Sequence, residues 1–279
     1  MAVALGVLFL TGFCYFVLRL YLQTKQPEEM GLLRDLYVES CKGLIGYQEG
    51  IAEHHLALAG AVCKLASGLS DAEYTYHRPP RFLEGLGPSL AKLSCLLHWR
   101  SVLAMRELLL FYAIEEYVRL VRCAPTTLEI HAALANAYVC LSCLYIDPRK
   151  IESEEPLWLP PGRHCEVMWE RFRSTAKRAV EELHILKAYA PNDPWVHAQL
   201  AYSYHDLQMP QEEISEYEAL LRLQPDDLDT MFKLGIRYFQ QAMSAKGLQV
   251  YERLKRRRYH KADELMRFYD SALPTPLMN

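Results

Sequence analysis

The sequence predicts an all-α fold: a helix-turn-helix repeat solenoid preceded by an N-terminal transmembrane helix. Three observations lead there. No run of alternating β-branched residues stands between turn signals, so nothing argues for a sheet. Apolar positions recur at helical spacing through most of the 279 residues. Leu200, Tyr204 and Tyr217 recur 34 positions later as Leu234, Tyr238 and Tyr251, and Pro225 lies 34 positions after Pro191.

Composition narrows the function classes. The chain is 51% hydrophobic with a formal net charge of -3 and a pI near 6.4, an ordinary globular balance that makes no electrostatic claim on nucleic acid. Eight cysteines lie mostly inside apolar, helical-looking runs. That usage reads as thiols in a reducing compartment rather than a disulfide framework. The sequence holds no phosphate loop, no G-x-G-x-x-G, no G-x-S-x-G elbow and no H-E-x-x-H, so no enzyme activity and no cofactor is expected.

Taken in order, the first element is residues 1–24. Ala2 to Leu18 is uncharged and rich in Leu, Val and Phe, and with "LYL" after Arg19 it reaches the roughly 20 residues of a bilayer span. Arg19 is placed to snorkel, and neither a basic n-region nor an A-x-A-like cleavage site marks a signal peptide. The expected localisation is therefore a single-pass membrane protein. Arg19, Lys25, Arg34 and Lys42 after the span put the body on the cytosolic side.

Residues 27–112 read as a divergent helical region. Pro27 followed by Glu28 and Glu29 looks like a helix first turn, and Gly43, Gly46 and Gly50 suggest a break between two helices. A loop carries Pro79, Pro80, Gly85, Gly87 and Pro88, then helix resumes from about Leu90 to Arg122.

The repeating part spans residues 113–259. "Leu234-Gly235-x-x-Tyr238" recurs as "Leu200-Ala201-x-x-Tyr204" and "Leu134-Ala135-x-x-Tyr138", while "Ala179-x-x-x-Leu183" and "Ala113-x-x-x-Tyr117" are closed by Pro191 and Pro125. This pattern resembles the tetratricopeptide repeat, W-x2-L-G-x2-Y, then A-x3-F, then P. The departures are Glu213 and Gly247 at the second-helix alanine, Tyr259 at the last proline, and an unrecognised first helix before Ala113. An insertion at about 147–170, with Pro148, Pro156, Pro160, Pro161 and Gly162, reads as a surface loop in which Trp158 packs back or meets a partner. Residues 260–279 supply a capping helix and tail.

Two clusters carry possible chemistry. Cys140, Cys143, His164 and Cys165 are four potential zinc ligands, against which stands the reading of small thiols on a helix packing face. Lys255 to Arg258 is a run of four cations at a helix end, where cations also complement the dipole.

The resemblance implies a working surface. In such proteins the first helix of each repeat lines a concave groove that holds a polypeptide partner. In this register the groove positions are Ala132, Asn136 and Val139; Ala198, Tyr202 and His205; and Phe232, Ile236 and Phe239, with Trp195 and Lys233 at the rim. Asn136 and Lys233 are clamp-like, but Ala132, Gln199 and Asp229 break the carboxylate clamp of the chaperone-tail adaptors. The expected function is a membrane-anchored scaffold or assembly factor binding a protein or peptide. A helical enzyme subunit and a constitutive subunit of a membrane complex are the alternatives.

Overall fold

The computed structural model describes residues 2–77, 85–147, 158–160 and 162–272. Pro79, Pro80, Pro148, Pro156, Pro161 and the tail from 273 lie outside them. Eleven helices and no strand occur among the described residues. The chain divides into two compact units, the first comprising residues 1–125 and 146–165 and the second 126–145 and 166–279.

The first unit holds α1 (Ala2–Ile45), α2 (Ala52–Gly68), α3 (Ala72–Thr75) and α4 (Gly87–Cys123). α1 is continuous for 44 residues and contains Pro27, so this proline opens no new helix. It ends before Gly46 and Gly50, whose φ values of 64° and 94° are left-handed and turn the chain into α2. Among the described residues no helix is long and apolar enough to cross a membrane. α1 also continues without a break past Lys25, Glu28 and Glu29. The expected single-pass anchor and cytosolic-side localisation are corrected accordingly. Arg19, given a snorkelling role, has no described side chain.

The core of this unit lies between α2 and α4. The two helices pack on each other, and Leu58, Ala59 and Val62 of α2 and Ala113, Tyr117 and Leu120 of α4 are buried. The first helix that precedes Ala113 is therefore α2, with "Leu58-Ala59-x-x-Val62" at the Leu-Gly-x-x-Tyr positions. Its valine in place of tyrosine and the long stretch before Ala113 concealed it. The end of the insertion folds on the same unit. The Tyr74 hydroxyl donates to the Trp158 carbonyl at 2.9 Å, and Arg163 pairs with buried Glu73 at 3.0 Å.

The second unit stacks α5 (Leu128–Cys143) on α6 (Glu166–Tyr189), α7 (Pro194–Asp206) on α8 (Pro210–Leu223) and α9 (Leu228–Gln240) on α10 (Ser244–Arg256), with α11 (Ala262–Ala272) packed on α9 and α10. α6 begins at Glu166, so the described part of the insertion ends there. Each first helix starts in one register. Thr127, Asp193 and Asp227 are the N-cap residues, and in α7 and α9 the aspartate accepts from a first-turn N–H. Seven positions later come Leu134, Leu200 and Leu234, then a small residue, then a tyrosine, and all are buried. The turns repeat too: Gln208 and Ala242 take φ of 58° and 56° after α7 and α9, and Met209 and Met243 N–H groups bond back to the Tyr204 and Tyr238 carbonyls. These are Schellman closures.

Gly235 sits where α9, α10 and α11 meet. A Cβ there would lie 2.8 Å from a Leu265 methyl and 3.0 Å from one of Val250. The equivalent Ala201 and Ala135 are fully buried, each tolerating one methyl. Gly235→Leu is expected to lower the midpoint of chemical denaturation and to loosen α11, read as faster hydrogen exchange in Ala262–Ala272; unchanged exchange there would contradict the packing role.

Candidate partner-binding face

The first-helix positions of the second unit divide by burial. Asn136 and His205 are exposed, Ala198, Phe232 and Ile236 are half-buried, Lys233 is exposed, and Trp195 and Tyr202 stand 41% and 44% exposed. Tyr202 and Lys233 join adjacent repeats: the ammonium lies 4.8 Å from the ring centroid and donates to the phenol oxygen at 3.2 Å. Beside them, Arg237 contacts His205 and bonds Glu213 at 2.7 Å, while Glu213 itself is almost wholly buried. α7 and α9 thus present an aromatic and cationic strip held by hydrogen bonds between repeats.

Phe239 does not belong to that strip. It is 0% exposed, stacks edge-on against Tyr269 of α11, and occupies the space left by Gly247, where an added Cβ would fall 2.4 Å from the ring. The glycine at the second-helix alanine position opens a hole, and the phenylalanine turns inward to fill it. Phe232 also makes an internal contact, its ring centroid 5.8 Å from that of Tyr259.

The metal reading finds no support in the arrangement of donors. No group of three or more His, Cys, Asp or Glu side chains that could hold an ion occurs among the described residues. Of the four cations Lys255 and Arg256 end α10 and Arg257 and Arg258 follow it; Arg257 pairs with Asp226 at 2.7 Å and Lys255 donates to the Tyr251 hydroxyl at 3.1 Å.

The register also holds a pairing that the sequence reading passed over. His131 Nδ1 lies 2.7 Å from Glu182 Oε2, and His197 Nδ1 lies 2.6 Å from Glu216 Oε2. In the first unit, His55 Nδ1 lies 2.8 Å from Glu116 Oε2. Each histidine precedes the repeat leucine by three positions, and each glutamate precedes the second-helix Leu183, Tyr217 or Tyr117 by one. The signal was the His–Glu recurrence at fixed places relative to the repeat leucine and the second-helix core residue, masked because the repeat pattern itself calls for tryptophan at that histidine. Around Glu216 the site is a network: Lys187 donates to Oε1 at 2.6 Å, and His197 Nε2 faces the Pro191 carbonyl at 2.9 Å. The last repeat has Met231 and Val250 instead.

On the outer side, Glu218 accepts from the Tyr238 hydroxyl at 2.6 Å and from Lys246 at 3.1 Å. The Tyr238 hydrogen bond, then Lys246, hold its carboxyl below its ordinary value of 4.5. A depressed folded value means stability present above the unfolded value and lost as pH falls through the folded one. Glu218→Gln should therefore lower the denaturation midpoint at pH 7 and have no effect once the Glu218 carboxyl is protonated in both the folded and the unfolded chain. An equal loss at both ends of the acid titration would contradict this coupling.

No family model matches the sequence, and no curated protein matches it. Among solved structures, the chain is similar to TTC0263, a thermophilic TPR protein of Thermus thermophilus, at 18% identity over 77% of this chain and 98% of that one, with a TM-score of 0.35. It is also similar to YrrB, a TPR protein with an unusual peptide-binding site, at 13% identity over 69% and 96%, with a TM-score of 0.28. The chain is an all-α helical repeat, and its repeat assignment rests on its own register and pairings.

Proposed function

We propose that the second unit is a protein- or peptide-binding module that acts as a scaffold or assembly factor and engages its partner on the first-helix face of α5, α7 and α9. One observation carries this reading: Trp195 and Tyr202 remain 41% and 44% exposed on α7 while the repeat tyrosines Tyr204, Tyr217 and Tyr238 are buried. Exposed aromatic side chains with a cation beside them are the residue types that anchor polypeptide partners. Asn136, Ala198, His205, Phe232, Lys233 and Ile236 complete the face; Phe239 supports it from within.

A photo-crosslinking residue at position 202 tests the proposal, with position 252 on α10 as the control. Position 202 is expected to give a discrete adduct that Ile236→Asp abolishes without loss of helical content. The same adduct from position 252, or none from 202, would exclude this face.

A further inference from the structure

We propose a second binding site, on the opposite side of the last repeat: a cleft over α9 between α8 and α10 that takes an acidic polypeptide segment through one bulky apolar side chain.

The cleft has a volume of about 360 Å³ and is lined by residues of α8, α9 and α10. Its floor arises from a substitution of the repeat interior. In the preceding repeat the corresponding place is occupied by Lys187, His197 and Glu216, joined by two bonds of 2.6 Å. Advanced by one repeat period, these three become Leu221, Met231 and Val250, and all three line the cleft. A polar network in one repeat is thus replaced by apolar side chains in the next, and no charge remains there to be satisfied.

The rim supplies the sign of the ligand. Arg222, Lys246 and Arg253 line the cleft around that floor, and Glu218 is the lining residue with a carboxylate. That carboxylate is already engaged by Tyr238 and Lys246. Three cations against one engaged carboxylate leave the rim positive. A volume at the low end of the range for enclosed ligands admits a single large side chain rather than a helix. Charge complementarity then selects acidic neighbours for that side chain. Tyr202 and Ile236 do not line this cleft, so the proposal is independent of the first-helix face.

Fluorescence anisotropy of a labelled nonapeptide of Glu and Asp with one central Phe tests it, using the full chain. Arg222→Glu with Arg253→Glu is expected to weaken binding by about ten-fold or more, and raising the salt to about 0.5 M should weaken it likewise. Replacing the central Phe by Gly in the peptide should also weaken it. Met231→His with Val250→Glu, which restores the pair of the preceding repeats, should close the site while keeping the fold. Tyr202→Asp should leave the affinity unchanged. Absence of binding, equal binding by the arginine variant, equal binding of the Gly peptide, or displacement of the peptide by a single-stranded RNA oligomer at lower concentration would each overturn the proposal.

Discussion

Gly247→Ala is expected to destabilise the second unit by about 2–3 kcal/mol, a large cost for one methyl group, because the added carbon has nowhere to go. Its ideal position is 2.4 to 2.7 Å from three atoms of the Phe239 ring. The ring is fully buried, with Tyr269 edge-on against it, so it cannot swing aside without displacing α11. An intrinsic helix preference of about 1 kcal/mol for alanine over glycine opposes the clash and is the smaller term. The sign can be checked by denaturant titration of the single variant. A cycle with Phe239→Leu then isolates the contact: once the ring has been removed by that substitution, the alanine should be neutral or stabilising. A destabilising effect of equal size in both backgrounds would show that the ring is not the cause.

This pair marks where the sequence was legible and where it was not. The 34-residue register placed Leu134, Leu200 and Leu234 and their tyrosines in the core, and the structure buries all of them. The same register put Phe239 on the groove face, as the equivalent of exposed His205, and the structure buries it instead. Helical position decides which way a side chain leaves the helix, but the space available across the interface decides whether it stays. The clue lay eight residues on, in Gly247 where the repeat asks for alanine. His205 faces the opposite case, since Glu213 stands at the position of Gly247 and lies 3.5 Å from the imidazole. At the N-terminus the apolar character was legible and its meaning was not: composition alone does not distinguish a span from one end of a 44-residue helix that runs on through Pro27 into a charged stretch.

Glu216→Ala is expected to cost about 3 kcal/mol, whereas replacing the whole network by its apolar counterpart should cost little or nothing. Glu216 and His197 have side chains only 6% and 5% exposed, and Glu216 is the common acceptor of Lys187 and His197. Its truncation leaves the buried imidazole facing a void on one side and leaves the ammonium without its partner. Lys187 keeps a third of its side-chain surface in water, which softens the loss but does not remove it. The chain itself supplies the replacement. Lys187→Leu, His197→Met and Glu216→Val together reproduce Leu221, Met231 and Val250 of the last repeat, which pack in the same register without a polar atom. Removing all members of a desolvated network abolishes the desolvation cost together with the attraction, while removing one abolishes only the attraction. Denaturation of the single and triple variants at pH 7 decides the matter. A triple variant as unstable as Glu216→Ala would mean that the network contributes net stability that apolar packing cannot replace, and that the His–Glu pairs hold the repeats together. A triple variant near the parent means that they instead fix the register between neighbouring helices, leaving the last repeat free to line its cleft with apolar side chains.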